Sequence, residues 1–188
     1  RRKMASVYVT NLIMRVLNNS EASEWEDAVK EWEISDCEED ESATERCICG
    51  KENIRYLFTI RNIYNGNELY PIGSTCIKKF ERKELQEEAS IYEGMFKLLH
   101  AVEEGAFLSL SPDLFSRKIL KALYDRGAFP ATEYNNYDGE EDYKFLLTMF
   151  NKKDKDSISP KRKKKIIAIL LNSIKPYLEQ QLKNKTQK

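Results

Sequence analysis

The chain has 188 residues, and its 31 Lys and Arg balance 31 Asp and Glu, so the formal net charge is zero. This balance argues against a protein that simply coats nucleic acid. Hydrophobic residues make up 41%, enough for a globular core, and no apolar run is long enough to cross a bilayer. We therefore expect a cytoplasmic protein of one substantial domain, or of two small ones.

The first part of the chain is predicted to form two helices and a loop. Apolar residues at helical spacing predict a first helix over residues 5–17. The apolar residues between positions 25 and 32 recur at i, i+3, i+4 and i+7, which predicts a second helix that Ser23 caps. The polar run at 38–42 predicts an acidic loop directly after Cys37.

A β-hairpin is predicted next. Residues 54–63 are rich in Ile, Tyr, Phe and Thr, which favour a strand. Asn-Gly at 65–66 predicts a type I′ turn, in which both central residues need a positive φ. The returning strand is predicted over 68–72, and Pro71 within it favours the edge of a sheet. A helix is then predicted to begin near Cys76.

The rest of the chain has a helical pattern. Ser111-Pro112-Asp113 predicts a helix start, because proline suits a first helical turn. Pro176 predicts a kink or break in the last helix. The polar, tyrosine-rich stretch 131–139 predicts an ordered loop. Helices are predicted over residues 77–104 (as one or two), 114–124, 142–150 and 160–182.

The four cysteines form the most prominent chemical pattern, with the spacing C-x9-C-x-C-x26-C. Cys47-Ile48-Cys49-Gly50 is typical of a zinc knuckle, a tight turn that presents two thiolates to one ion. Cys76, at the helix start beyond the hairpin, is the third candidate ligand, and Cys37 is the fourth. The alternative is a set of reduced core cysteines, because disulfides are disfavoured in the cytosol.

Knuckle, hairpin and ligand-bearing helix in this order predict a treble-clef-like module that binds Zn²⁺ through Cys37, Cys47, Cys49 and Cys76. Four protein thiolates leave no open position for water, so we expect one structural zinc ion per chain and no zinc chemistry. The predicted fold is a mainly α-helical α+β protein. Its N-terminal helices and zinc module occupy residues 4–100, and a helical domain occupies 101–188.

Catalytic patterns are missing from the sequence. Its seven glycines form neither a dinucleotide-binding nor a P-loop motif. The single histidine, His100, lies in an apolar helical stretch, which favours a packed helical histidine over a ligand or a base. Acidic runs at 38–41 and 140–142 offer carboxylates for a divalent cation, but a solvated face and a helix first turn explain them as well. We therefore expect no enzyme and no small-molecule substrate.

Three segments are candidate partner surfaces. Residues 21–45 carry twelve acids against Lys30 alone, whereas residues 144–188 carry thirteen Lys or Arg against three acids. An acidic surface can mimic nucleic acid, a basic helix can bind phosphates or acidic protein, and a tyrosine-rich loop supplies rigid contact area. The candidate residues are Glu38, Glu39, Asp40, Glu41, Tyr134, Tyr137, Lys161, Arg162, Lys163, Lys164 and Lys165.

The motifs around the cysteines resemble a family of small proteins carried by phages and mobile elements of Gram-positive bacteria. The shared features are C-x-C-G at 47–50, an asparagine-containing hairpin at 62–66, and G-S-x-C-I-x-x-F at 73–80. Glu24-Trp25 fits the same pattern, and segments between Leu114 and Lys152 are similar to this type, so the resemblance covers most of the chain after Ser23.

The resemblance extends to zinc-containing type II anti-CRISPR proteins of streptococcal phages, in which such a module appears. It implies a non-enzymatic protein that binds and inhibits a host defence nuclease, above all the RNA-guided type II CRISPR effector. The alternative is a nucleic-acid-binding accessory factor that uses residues 161–165 on phosphates. A metal-dependent nuclease that uses the acidic runs is a third hypothesis. No membrane partner is expected.

Overall fold

The computed structural model describes residues 6–105 and 115–183. The protein is α+β and mainly helical, and its strands form a three-stranded antiparallel sheet in the order β1-β2-β3. The chain divides into two compact units, Arg1–Tyr92 and Glu93–Lys188. The strands are β1 (Trp32–Glu39), β2 (Tyr56–Asn62) and β3 (Glu68–Ile72). The helices are α1 (Val7–Asn18), α2 (Trp25–Ala28), α3 (Ser74–Lys78), α4 (Lys83–Glu103), α5 (Arg117–Asp125), α6 (Gly139–Asn151), α7 (Pro160–Ile169) and α8 (Lys175–Leu182).

The predicted first helix is confirmed as α1. The side chain of Ser6 caps it by accepting a hydrogen bond from the backbone N–H of Val9, at 3.2 Å. Leu12 and Val16, four residues apart, are fully buried. The sequence placed apolar residues at this spacing, and they face the core of the first unit as expected.

The predicted second helix is wrong beyond its first turn. α2 ends at Ala28, a 3₁₀ turn follows over Val29–Glu31, and Trp32 begins β1. The fully buried indole of Trp32 donates a hydrogen bond to the hydroxyl of Ser20, at 2.9 Å. Trp32 therefore reaches the core from a strand, and an apolar spacing that fits a helix cannot distinguish the two cases.

Because β1 begins at Trp32, Cys37 and the first acidic residues after it also lie in this strand. Cys37, Glu38 and Glu39 belong to β1, whereas a loop was predicted from Glu38 onwards. Antiparallel pairing with β2 places Cys37 opposite Phe58, and both residues are buried on the core side of the sheet. Strand alternation then turns Glu38 to the outer face, where it is exposed.

The predicted hairpin is confirmed, but its turn is not of type I′. Among the residues of this loop only Gly66 has a positive φ, of 77°. The side-chain carbonyl of Asn62 accepts hydrogen bonds from the backbone N–H groups of Tyr64 and Asn65, at 2.9 and 3.2 Å. This side chain builds a longer loop in place of the two-residue turn. Pro71 lies on the edge strand β3, as predicted.

Asparagines tie the hairpin loop to the end of α1. The side-chain amides of Asn62, Asn65 and Asn67 all donate to the backbone carbonyl of Asn19, at 3.4, 3.0 and 3.2 Å. Asn19 is the C-cap residue directly after α1, where helix carbonyls lack partners within the helix. The hairpin thereby satisfies the helix end and fixes its own position against α1.

In the second unit the predicted helices are present with shifted ends. The predicted start at Ser111-Pro112-Asp113 lies outside the described residues, and α5 is capped by Ser116, whose hydroxyl accepts from the N–H of Ile119 at 3.0 Å. The predicted loop at 131–139 contains a 3₁₀ turn at Glu133–Asn135 that Thr132 caps. α6 then begins at Gly139.

The last predicted helix is interrupted before its proline. A π-helical segment, Leu170–Ile174, separates α7 from α8, and Pro176 follows in the first turn of α8. Proline cannot donate a backbone hydrogen bond, and its ring crowds the preceding turn. A widened π turn at this point accommodates both effects, so the predicted break takes the form of a π segment rather than an end.

Candidate metal centre

Three of the four cysteines converge in the first unit. The sulfurs of Cys47, Cys49 and Cys76 all lie within 4.8 Å of one another, and all three residues are buried. The Sγ atoms of Cys47 and Cys76 are 3.7 Å apart, much farther than the bond of about 2.05 Å in a disulfide. A tetrahedral zinc ion with Zn–S bonds of about 2.3 Å separates its sulfurs by about 3.8 Å. The trio therefore has the spacing of ligands to a single ion.

The local backbone builds the knuckle that carries Cys47 and Cys49. A β-bridge between Glu45 and Ile54 closes the loop below it. The N–H of Cys47 donates to the carbonyl of Lys51 at 2.9 Å, and the N–H of Gly50 donates to the carbonyl of Cys47 at 2.8 Å. Gly50 has a φ of 98°, which an L side chain rarely adopts. The positive φ that this turn requires therefore explains why residue 50 is a glycine.

Backbone donors point at two of the sulfurs. The N–H of Gly73 donates to Sγ of Cys47 at 3.3 Å, and the N–H of Lys51 donates to Sγ of Cys49 at 3.4 Å. Such donors stabilise thiolate charge and orient metal ligands. The hydrogen bond between the thiols of Cys47 and Cys76, followed by the bonds from the backbone, lowers the pKa of the Cys47 thiol to about 5.

The other two thiols hold their protons more tightly than an ordinary cysteine. The hydrogen bond between its thiol and that of Cys47, together with burial, raises the pKa of Cys76. Burial raises the pKa of Cys49. A cation that replaces these protons relieves the crowding of negative charge, so the trio favours a metal ion over three separate thiolates.

Neighbouring elements hold the knuckle from two sides. The N–H of Ile48 donates to the carbonyl of Pro71 in β3 at 2.9 Å. The side-chain amide of Asn11 in α1 donates to the carbonyl of Cys49, also at 2.9 Å. Cys76 lies in α3, directly after the hairpin. The cysteine trio thus joins α1, the sheet and α3 of the first unit.

Cys37 is not part of the trio, and the prediction that it completes a four-cysteine site is wrong. Among the described residues, no further Cys, His, Asp or Glu ligand atom joins the three sulfurs within 4.8 Å. Cys37 is far from them, in β1 opposite Phe58, and its thiol points toward the carbonyl of Glu38 at 3.6 Å. The pairing of β1 with β2, which the sequence did not predict, places it there.

No known family and no related protein identifies the chain. No protein family model matches it, and no curated protein and no solved structure shows significant similarity to it. In the part of the chain that the structure describes, no helix has the length and apolar character needed to cross a membrane. Any proposal about the function must therefore be argued from the chemistry of the described residues.

The four consecutive acids predicted as partner residues have different roles. The carboxylate of Asp40 accepts hydrogen bonds from the N–H groups of Ser42, Thr44 and Glu45, so it builds the following loop, and the bond from Thr44 leads in lowering its pKa. Glu39 pairs with Arg55 at 2.9 Å. Glu38 and Glu41 are exposed.

The negative charges of three carboxylates act on one tyrosine of the edge strand, Tyr70. The hydroxyl of Tyr70 in β3 donates to the carboxylate of Glu38 in β1 at 3.0 Å. Burial, this hydrogen bond and the charges of Glu38, Glu45 and Asp36 raise the pKa of Tyr70 to about 12. We call Asp36, Glu38, Glu45 and Tyr70 the acidic sheet face. Sequence reasoning missed Tyr70, although strand alternation in 68–72 could have identified it.

In the second unit, the predicted tyrosines and basic residues are exposed. Tyr134 and Tyr137 are 88% and 74% exposed. All five residues of 161–165 are exposed at the start of α7, and the ammonium of Lys165 lies 4.3 Å from the ring centre of Phe145. Tyr134 and Lys165 line the same cavity, of about 560 Å³. The structure thus brings together two features that the sequence treated separately.

The second acidic run has a structural explanation. Glu140 and Glu141 lie in the first turn of α6, where carboxylates are favoured, and Glu140 pairs with Lys144 at 3.3 Å. Asp142 is buried and accepts a hydrogen bond from the side-chain amide of Asn135 at 2.8 Å. These contacts account for all three acids without a cation.

Proposed function

We propose that the chain is a non-enzymatic bacterial cytoplasmic protein whose first unit is held together by one structural Zn²⁺ ion. Cys47, Cys49 and Cys76 are the proposed ligands. Knuckle, hairpin and ligand-bearing α3 follow one another as in a treble-clef module. The sulfur spacing and the N–H groups that point at the sulfurs support this assignment.

We further propose that the protein binds and inhibits a defence nuclease of its host, above all the RNA-guided type II CRISPR effector. The observation that carries this proposal is the acidic sheet face, where Glu38 and Glu45 are exposed and Glu38 accepts a hydrogen bond from Tyr70 at 3.0 Å. Such a concentration of negative charge is complementary to the basic channels in which these effectors hold nucleic acid. The motifs shared with phage-borne zinc proteins lend additional support.

Co-migration with the effector on gel filtration, and inhibition of its DNA cleavage, test this proposal. We expect the triple variant Asp36→Asn, Glu38→Gln, Glu45→Gln to lose binding, because it removes the charge and keeps the shape. The matched control is Glu133→Gln, Glu140→Gln, Glu141→Gln in the second unit, which we expect to bind normally. If the wild-type protein neither co-migrates with the effector nor inhibits its DNA cleavage, the proposal is wrong.

A second candidate function is the binding of single-stranded nucleic acid by the second unit. The observation in its favour is that exposed Tyr134 and Lys165 line one cavity beside the basic start of α7. Aromatic stacking of bases next to cations on phosphates is the usual basis of single-strand binding. Within the described ranges, the side chains of residues 161–164 form no ion pair, so they are available to phosphates.

The two candidate functions make opposite predictions for the same variants. Nucleic-acid binding predicts a gel shift of single-stranded DNA or RNA at about 50 mM salt that weakens as salt rises. Lys161→Ala with Lys164→Ala, or Tyr134→Ala alone, should reduce this shift, whereas neutralising the acidic sheet face should not. The absence of any shift at low salt would remove this candidate.

A further inference from the structure

We infer that the metal centre has an exchangeable fourth coordination position, which an external thiolate can occupy. This inference rests on the proposed metal site and goes beyond it, because a purely structural zinc ion has four protein ligands. The three sulfurs of Cys47, Cys49 and Cys76 have no fourth Cys, His, Asp or Glu ligand atom beside them among the described residues. Zinc in proteins takes at least four ligands, so the last one comes from elsewhere.

The surroundings of the sulfurs have room for such a ligand. Cys47, Cys49 and Cys76 line a cavity of about 240 Å³ in the first unit. A water molecule takes about 30 Å³ of liquid volume, so the cavity holds a donor several times larger than water. The three residues thus border a space that small molecules can occupy, although they are themselves buried.

The lining of the cavity favours an anionic donor. The residues that line the cavity include Lys51, Asn53, Ser74 and Thr75, whose side chains end in an ammonium, an amide and two hydroxyls. Three thiolates and a divalent ion together carry one negative charge, which on its own would disfavour another anion. Lys51 offsets this charge, and the amide and hydroxyls offer hydrogen bonds. Sulfur is a preferred donor for zinc, which makes a small thiolate the best fit, with water in its absence.

Cobalt substitution tests the inference, because Co²⁺ replaces Zn²⁺ in tetrahedral sites and its spectrum reports the ligands. The protein is kept reduced with a phosphine, so that no thiol is present at the start. We expect a thiolate-to-cobalt band that is unchanged in Cys37→Ser and in Cys37→Ala. Cys49→Ser should give no such band, because a site that has lost one of its three thiolates no longer holds the ion.

The second part of the cobalt experiment adds 2-mercaptoethanol. We expect the visible cobalt bands to shift and to saturate at one thiol per ion, and the thiolate-to-cobalt band to gain about one third, as a fourth sulfur binds. Methanol at the same concentrations is the control and should change nothing.

The possible failures are distinguishable. A chain that binds neither Co²⁺ nor Zn²⁺ overturns the proposed metal site itself. A four-thiolate spectrum that weakens in Cys37→Ser overturns the open position and leaves the metal site intact. A three-thiolate spectrum that does not respond to 2-mercaptoethanol also overturns it, since a protein donor then fills the position. A response that requires a dimer, detected by light scattering, overturns it in favour of a donor from a second copy.

Discussion

Glu31 shows how one buried residue connects several elements of the first unit. It is 3% exposed. Its carboxylate accepts hydrogen bonds from the N–H groups of Glu21 and Ala22, at 2.7 and 2.8 Å, and from the side-chain amide of Asn62, at 3.0 Å. Burial by itself raises the pKa of Glu31, but these three bonds outweigh it, so the pKa lies below its ordinary value.

We expect Glu31→Gln to destabilise the protein at pH 7 by roughly 2–3 kcal/mol, because an amide replaces a charged acceptor of buried donors. The folded-state pKa of Glu31 is lowered, so its stabilising contribution is present above the unfolded pKa, about 4.3, and is lost as pH falls through the folded pKa. The difference between variant and wild type should therefore shrink in acid. Urea unfolding at a series of pH values between 7 and 3 measures it.

The control for this series is Glu26→Gln, at an exposed position of α2. Exposed substitutions away from structural features usually change stability by less than about 0.5 kcal/mol. A Glu31→Gln variant as stable as this control, or a deficit that grows in acid, would contradict the assigned role of the carboxylate.

The cysteines differ in what their removal should do. We expect Cys49→Ser and Cys76→Ser to lose bound zinc and to melt at lower temperature, because each removes a proposed ligand. Cys37→Ser should keep about one zinc per chain, because Cys37 pairs with Phe58 in the sheet and is far from the trio. Elemental analysis of the purified variants, together with thermal melting, tests both statements. Loss of zinc from Cys37→Ser would restore the four-cysteine site.

At the scale of elements, the hairpin could be predicted and the strand before it could not. β3 was predicted with its observed ends, because the Asn-Gly signal and Pro71 mark the turn and the edge. β1 was missed, because its Glu and Asp residues have low strand propensity, and because Trp32 also fits a helical spacing. Local motifs in the sequence predicted the three cysteines that the structure brings together, Cys47, Cys49 and Cys76. The prediction of Cys37 as the fourth ligand was wrong, because the position of Cys37 depends on the pairing of β1 with β2.

The start of α6 depends on a close backbone approach that only glycine allows. A Cβ atom on Gly139 would lie 1.9 Å from the carbonyl oxygen of Phe129. We expect Gly139→Ala to destabilise the protein by about 3 kcal/mol, the upper end of the usual cost of overpacking, because a backbone carbonyl cannot move aside easily. Denaturant unfolding measures the change.

Gly94→Ala in α4 is the matched substitution. There an added Cβ would lie 2.5 Å from Cδ1 of Ile119, the flexible end of a side chain. Alanine also gains up to about 1 kcal/mol of helix propensity over glycine. We therefore expect Gly94→Ala to cost clearly less than Gly139→Ala. If Gly94→Ala destabilised the protein more than Gly139→Ala, the close approach of Gly139 to Phe129 would not be what excludes a side chain at position 139.

At the scale of the whole molecule, the zero net charge is the sum of an acidic surface in one unit and a basic surface in the other. The first unit carries the acidic sheet face, and the second carries the exposed basic start of α7. A basic protein partner would therefore bind the first unit, and a nucleic acid would bind the second. Both proposed functions predict binding that weakens with salt, so the charge variants, rather than salt, separate them.

Removal of the metal should affect the two units unequally. The proposed ligands all lie in Arg1–Tyr92, whereas Glu93–Lys188 has its own buried residues, among them Leu123, Leu146 and Ile174. At a free zinc concentration about a thousandfold above Kd, binding contributes about 4 kcal/mol of stability, which a chelator removes. We expect hydrogen exchange to accelerate around the knuckle, β2 and β3, and to stay slow in α5 and α6.

Hydrogen–deuterium exchange read by mass spectrometry, with and without chelator, resolves these segments. Cys76→Ser should give the pattern of the chelated wild type without any chelator, because the same ligand set is lost by substitution. Equal acceleration in both units would mean that the second unit depends on the metal as well. Unchanged exchange at the knuckle after stripping would mean that the trio needs no ion to hold its spacing, and the structural role of zinc would then be wrong.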